Sequence, residues 1–391
     1  MTDTCRCGDK KKINHESTDL KSEADFTQCG NSQIYEGSSC CCSPKVNLNE
    51  SKAGWIIGQI KTPAGIVPKV STHLTFCDRI GSWKARWGIN RMNYKVEPGI
   101  YAIGEPNDTS PVLVTANYKM TFDRVRSELY GVNAWLLVLD TKGINVWCAA
   151  GKGTFGTKEL VNRIQKVKLY SIVSHRVLVL PQLGAPGVAA YEVQKNTQFR
   201  VTYGPVRAQD IKEYLESGMK ATPEMRKVHF TTYDRLVLTP IELVSSIKIS
   251  LIVFGIMFIL NQIGIGRFGV IDLYAYIGSV IVGCIATPIL LPWIPGRAFA
   301  WKGWLLGLLW AAGVNMLNGY PGKMEYDSLV VISYMLVLPS ISSFFAMNFT
   351  GSSTYTSLSG VQKEMKIAVP VIIASLSLGT LLLLINGCIK V

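Results

Sequence analysis

From residue 243 to the end, the chain offers five apolar stretches, near 243–262, 269–292, 298–318, 327–348 and 367–387. Each has about the ~20 residues that a helix needs to cross a bilayer core. No other feature limits the fold as much, because a backbone in lipid must satisfy its own hydrogen bonds, and a helix does so within one segment. Residues 241–391 are therefore expected to form an all-α transmembrane domain of five helices. The spans hold few ionisable groups, so an anchor is the better reading than a transporter.

Charge sets the orientation. Arg226, Lys227 and Arg235 precede the first stretch, Arg297 and Lys302 separate the second and third, and Lys363 and Lys366 separate the fourth and fifth. The opposite loops carry only Arg267, Lys323 and Lys390. The positive-inside rule then predicts a multi-pass protein of the cell (inner) membrane, with residues 1–240 cytoplasmic and the C-terminus outside. The first 240 residues are strongly basic, as suits a domain facing anionic lipid.

Residues 1–50 are polar and aperiodic, and read as a disordered tail without a secretory signal. Six of the ten cysteines lie there: Cys5, Cys7, Cys29, Cys40, Cys41 and Cys42. Their spacing fits no zinc or ferredoxin pattern, and a reducing compartment follows from the missing export signal. Residues 52–110 read as irregular structure with short strands. Within them, Trp83-Lys84-Ala85-Arg86-Trp87 and Arg91 combine stacking groups with charge, as a nucleic-acid surface does; a paved domain surface or contacts to polar cofactor amides are the preferred readings, and no nucleic-acid partner is expected.

From residue 111 the pattern alternates. Strands are expected at 111–116, 135–140, 176–180 and 199–203, and helices at 122–129, 157–167, 187–195 and 208–217. Alternating units predict an α/β, doubly wound (Rossmann-like), mostly parallel sheet over residues 51–240. Such sheets bind ligands beyond the carboxyl ends of their strands. The loops expected there are 140–157, 181–187 and 204–207, which offer Gln182, Gly184, Tyr203 and Gly204. A polar loop, 348–365, is rich in hydroxyls and is read equally as a linker or as a contact for the soluble domain.

The first of those loops carries the chemistry: Asn145-Val146-Trp147-Cys148-Ala149-Ala150-Gly151-Lys152-Gly153-Thr154. Gly151, Gly153 and Gly156 spell G-x-G-x-x-G, yet residues 170–190 hold no Asp or Glu to complete a dinucleotide site. A phosphate-binding P-loop would require Gly at position 146 and Ser or Thr at 153, and is excluded. Cys148 reads either as a buried structural thiol or as a ligand. Helix N-termini favour thiolate, the form that binds metals and attacks electrophiles.

The segment 142–157 resembles the cap-helix motif of the mercury-methylating corrinoid proteins. The stretch from Pro98-Gly99-Ile100-Tyr101 through Val112-Leu113-Val114-Thr115-Ala116-Asn117-Tyr118 is similar to the large subunit of the corrinoid iron–sulfur protein. The resemblance covers about residues 50–391 and leaves the tail aside. It implies a cobalamin-type corrinoid bound base-off, with Cys148 as the cobalt ligand, since no D-x-H-x-x-G motif is present. Asn145 would then cap the helix, Trp147 would pack it on the domain, and Ala149, Ala150 and Gly151 would clear room for the corrin. Lys152 would favour the thiolate.

Val146, Gly153 and Thr154 complete the implied cofactor-binding segment. The implied activity is a corrinoid-dependent methyltransferase that gives methylmercury from Hg(II), an electrophile that needs a carbanion or radical equivalent. The implied partners are a ferredoxin-like iron–sulfur electron donor and a methyl-donating methyltransferase or a methyl-tetrahydrofolate source. The alternatives are a methyl carrier of one-carbon metabolism with a different acceptor, and a transporter with a nucleotide-binding regulatory domain.

Overall fold

The computed structural model describes residues 54–265, 268–320, 328–356 and 358–389. The expected tail, with its six cysteines, lies outside the described residues.

A hairpin opens the described chain: β1 (Ile56–Thr62) and β2 (Gly65–Val70) pair antiparallel. Helix α1 (Phe76–Arg86) follows. Its start is set by a capping box in which Thr75 and Asp78 satisfy each other's backbone N–H groups. Then come β3 (Gly99–Ile103), β4 (Val112–Ala116), α2 (Lys119–Glu128), β5 (Ala134–Leu139), α3 (Val146–Gly151), α4 (Thr157–Lys166), β6 (Val177–Leu180), α5 (Ala190–Thr197), β7 (Arg200–Tyr203) and α6 (Ile211–Glu216).

The strands form one seven-stranded sheet in the order β1-β2-β3-β5-β4-β6-β7. β5, β4, β6 and β7 run parallel, as the alternating pattern predicts. β2 also pairs parallel with β3, whereas β1–β2 and β3–β5 are antiparallel, so the sheet is mixed with most of its pairings parallel. β3 reaches β4 through a short loop with no crossover helix, so no βαβ unit fixes its direction. β4 and β5 are buried at every residue, as strands covered on both faces must be. On one face Val112, Val114, Leu137 and Leu178 pack with Leu160, Ile164 and Val193 of α4 and α5. On the other, Leu113, Leu136 and Val179 pack with Phe122, Leu129 and Tyr214 of α2 and α6. β4 has β5 on one side and β6 on the other, which places a topological switch point between β4 and β6.

The helical region consists of α7 (Thr232–Gln262), α8 (Val270–Leu290), α9 (Phe299–Leu317), α10 (Ser328–Asn348) and α11 (Leu358–Ile389). All five fall on the expected stretches, but four, not five, are long and apolar enough to cross a membrane. The exception is α9, whose apolar run is diluted by Lys302, Asn315 and the tryptophans 301, 304 and 310. It packs closely on α10 through small residues: a Cβ at Gly303 would lie 2.4 Å from Ala346 Cβ, and one at Gly307 would lie 2.7 Å from Pro339 Cα.

The boundary expected at residue 240 falls inside α7. Thr231 and Asp234 form a second capping box, so the helix begins at Thr232 and runs on through Pro240. The hydroxyl-rich loop after α10 meets this same region: Arg235 donates to the Tyr355 hydroxyl at 3.3 Å, and Ser352 donates to Glu242 at 3.3 Å.

Candidate functional site

A cavity of about 880 Å³ opens at the carboxyl ends of β4 and β6, at the switch point. Thr115 and Leu180 form part of its floor, and Gly204 and Pro205 after β7 continue it. Trp83, Arg86 and Trp87 of α1 wall one side. Tyr233, Val237 and Pro240 of α7 wall another. Asn145, Val146 and Trp147 bring in the start of α3. Thr115 is 1 % exposed, and its hydroxyl has no hydrogen-bond partner among the described residues.

Helix α3 is short and is held from both ends. Asn145 is its N-cap, and its side-chain oxygen accepts from the Cys148 N–H at 3.0 Å. Ahead of it, the buried Asn117 at the end of β4 organises the loop 141–143. Its Oδ1 accepts from the Thr141 N–H at 3.1 Å, the Thr141 hydroxyl at 2.9 Å and the Gly143 N–H at 3.0 Å. Sequence reasoning gave Asn117 no role; the available signal was a polar residue ending an otherwise apolar strand. Beneath α3 lies the turn Gln182–Gly187, where a Cβ at Gly187 would meet Phe155 O at 2.1 Å and Ala150 Cα at 3.0 Å. Only glycine permits that approach.

The expected site residues divide into three groups. Asn145, Val146, Trp147 and Gly204 line the cavity, and Cys148, half-buried, is the residue after the last lining residue of α3. Trp147 does not pack the helix on the domain: it is 39 % exposed and faces the opening. Ala149 and Ala150 are buried in the core, so their small size serves the packing of α3 on the sheet and not a cavity wall. Gly151, Lys152 and Gly153 are exposed, and Thr154 donates back to Ala149 O through its N–H at 3.0 Å. Gln182 is held by Arg226 at 2.9 Å, Tyr203 donates to Val188 O at 2.9 Å, and Gly184 lies against the Phe155 ring. The glycine fingerprint follows a helix and not a strand, since α3 separates it from β5, which departs from a dinucleotide site.

A buried ion cluster fixes the α1 wall to α2. Lys119 Nζ lies 2.7 Å from both Asp78 and Asp123, and Arg126 lies 2.7 Å from both as well. Arg126 also donates to the carbonyls of Ser71 and His73. Burial pushes the Asp78 carboxyl up, but Lys119, the Thr75 N–H and Arg126 outweigh it and hold it at about 2. On the α7 side, Arg207 reaches Asp234 at 3.7 Å.

Fold and cavity together define a mixed α/β domain with a cavity at its switch point and a short cysteine-bearing helix beside it, followed by an apolar helical region. The comparisons with known proteins fall on the α/β part. Residues 89–215 match the family described as CO dehydrogenase/acetyl-CoA synthase delta subunit. The gamma subunit of the acetyl-CoA decarbonylase/synthase complex of Archaeoglobus fulgidus is 36% identical over 130 residues, 33% of this chain and 27% of that protein. The corresponding subunit of Methanopyrus kandleri is 36% identical over 128 residues, 32% and 27% of the two chains. The match thus covers about a quarter of the length of these relatives, and the family segment 89–215 runs from before β3 into α6, with α3 inside it.

Proposed function

We propose that this chain is a membrane-anchored corrinoid protein that delivers a methyl group to inorganic Hg(II), with Cys148 as the residue that would hold the cobalt. One observation carries the reading: the capped helix α3 brings Asn145, Val146 and Trp147 to the lining of a switch-point cavity, and half-buried Cys148 follows them in the same helix. Cys148 is thus one residue beyond the lining, and none of His73, His175 and His229 lines the cavity. The relatives' place in acetyl-CoA decarbonylase/synthase complexes supports one-carbon chemistry in the matched segment.

The cavity fits a large flat ligand with amide-bearing edges. It has an aromatic rim of Trp83, Trp87, Trp147 and Tyr233, with Arg86 and Asn145 as polar groups in the lining. A corrinoid, when bound, supplies a cobalt-held methyl group, and the protein's part is to choose the ligand and the surroundings. Cys148 would hold the cobalt, and its sulfur would donate electron density that favours giving the methyl to an electrophile such as Hg(II). Asn145 fixes the cysteine's backbone, and Asn117 fixes the loop before it. Trp147 shields the opening from water. Lys152, exposed, stands free to attract anions. Repeated turnover would call for an electron donor, proposed to be a ferredoxin-like iron–sulfur protein, and for a methyl source.

The test is anaerobic purification of the full chain, its visible spectrum, and the Cys148→Ala variant. Cobalt–corrinoid bands are expected in both proteins, with methylmercury formation abolished in the variant. Near-normal methylmercury from Cys148→Ala would remove the cysteine from the reaction. The second reading, a methyl carrier with another acceptor, is favoured by the relatives' names and predicts corrinoid bands without activity on Hg(II).

A further inference from the structure

We propose that the end of α1 and the loop after it, residues 83–95, form a seat for anionic lipid headgroups, so that the α/β domain rests on the membrane with the cavity rim at the bilayer surface. The segment presents large apolar groups to solvent: Trp83 at 71 %, Trp87 at 44 %, Ile89 at 58 % and Met92 at 60 % exposure. Between and beside them stand Arg79, Lys84, Arg86, Arg91 and Lys95, and none of the five forms an ion pair among the described residues. The one acid between residues 76 and 95, Asp78, is buried in its own ion cluster. Tryptophan and arginine mixed in this way are at home where hydrocarbon meets water.

The placement on α7 supplies the depth. A Cβ at Gly88 would lie 3.9 Å from Ile241 Cγ1, and the charge of Arg91 acts on Glu242. The apolar stretch of α7 begins at residue 243, about 3 Å further along the helix at its rise per residue. The exposed tryptophans and cations thus sit level with the top of a membrane-crossing helix. A nucleic acid, the other ligand for such a mixture, would have to lie in the plane of the membrane to reach them. The inference rests on reading α7 as a crossing helix, and it goes beyond the cofactor assignment.

The experiment uses the full chain in nanodiscs of phosphatidylcholine with phosphatidylglycerol, with and without acyl-brominated lipid. Subtracting the emission of the Trp83→Phe/Trp87→Phe double variant isolates the two rim tryptophans. Their emission is expected to be quenched by the brominated lipid. Lys84→Gln and Arg91→Gln should each lower the docked-to-undocked ratio about fivefold, the factor for one cation at an anionic surface. Quenching of the helix tryptophans Trp301, Trp304 and Trp310 serves as the control for folding and insertion. If those are quenched and the rim pair is not, the helices cross the membrane and the seat does not exist. If neither set is quenched, the membrane reading itself falls and the seat with it. If the rim emission responds to single-stranded DNA and is indifferent to lipid, the surface belongs to nucleic acid.

Discussion

At the scale of single residues, Cys148 and Ala150 show what a short motif can and cannot disclose. Both were legible as special, because a cysteine followed by two alanines and a glycine stands out between an apolar strand and a helix. Their division of labour was not. Helix α3 has 6 residues, too few to display a periodicity that separates its buried side from its open side. The structure separates them: Ala149 and Ala150 face the core, while Trp147 and Cys148 face outward. Small size was required by the turn beneath, where Gly187 touches Ala150, and not by a ligand above. Ala150→Leu is therefore expected to overpack the core at a cost of about 1–3 kcal/mol. Its thermal midpoint should fall while the visible spectrum of the folded fraction stays unchanged. A shifted cobalt spectrum at unchanged stability would place Ala150 on the ligand side. Asn117→Ala removes the acceptor of three hydrogen bonds and should loosen the 141–143 loop, read as faster amide exchange at Thr141 and Gly143.

Among the elements, the four parallel strands and α4 were foreseen to within a residue, since continuous apolar runs such as Ala134–Leu139 admit few readings, while the starts of α2, α5 and α6 were each displaced by three residues. Helix α1 was missed. Its exposed Phe76, Trp83 and neighbouring Trp87 spoil the amphipathic pattern, although the Thr75-x-x-Asp78 box marked its start. What anchors it is long-range, the ion cluster with Lys119 and Arg126, and no local pattern announces that. The cluster makes α1 acid-sensitive. Asp78 is held at about 2 against an ordinary 3.8, so its folded pKa is depressed. Its stabilisation is complete above pH ~4 and is lost as pH falls toward 2, a total of about 2 kcal/mol. Exchange of α1 amides in the full chain should accelerate roughly thirtyfold over that window beyond the trend of α4, as local opening follows the lost free energy. An α1 that tracks α4 down to pH 2 would show that the cluster does not hold it.

For the whole molecule, the open question is parity. Sequence reading placed five stretches, and the structure has helices on all five, with α9 less apolar than the rest. Its Asn315 is buried against neighbouring helices, which is how a crossing helix shelters a polar side chain. A reporter after Ser217 is expected to read cytoplasmic and one after Val391 external. Both on one side would mean that α9 lies within the bundle without crossing.

The position of α7 has a practical consequence for anyone dividing this protein into parts. The cavity draws on residues from Leu74 to Pro240, and its last three contributors already belong to α7, a helix long and apolar enough to cross a membrane. The shortest fragment enclosing the cavity therefore ends inside that helix. The α/β part and the apolar helices are not separable modules here, and an excerpt that stops before α7 would carry a cavity with one wall taken away.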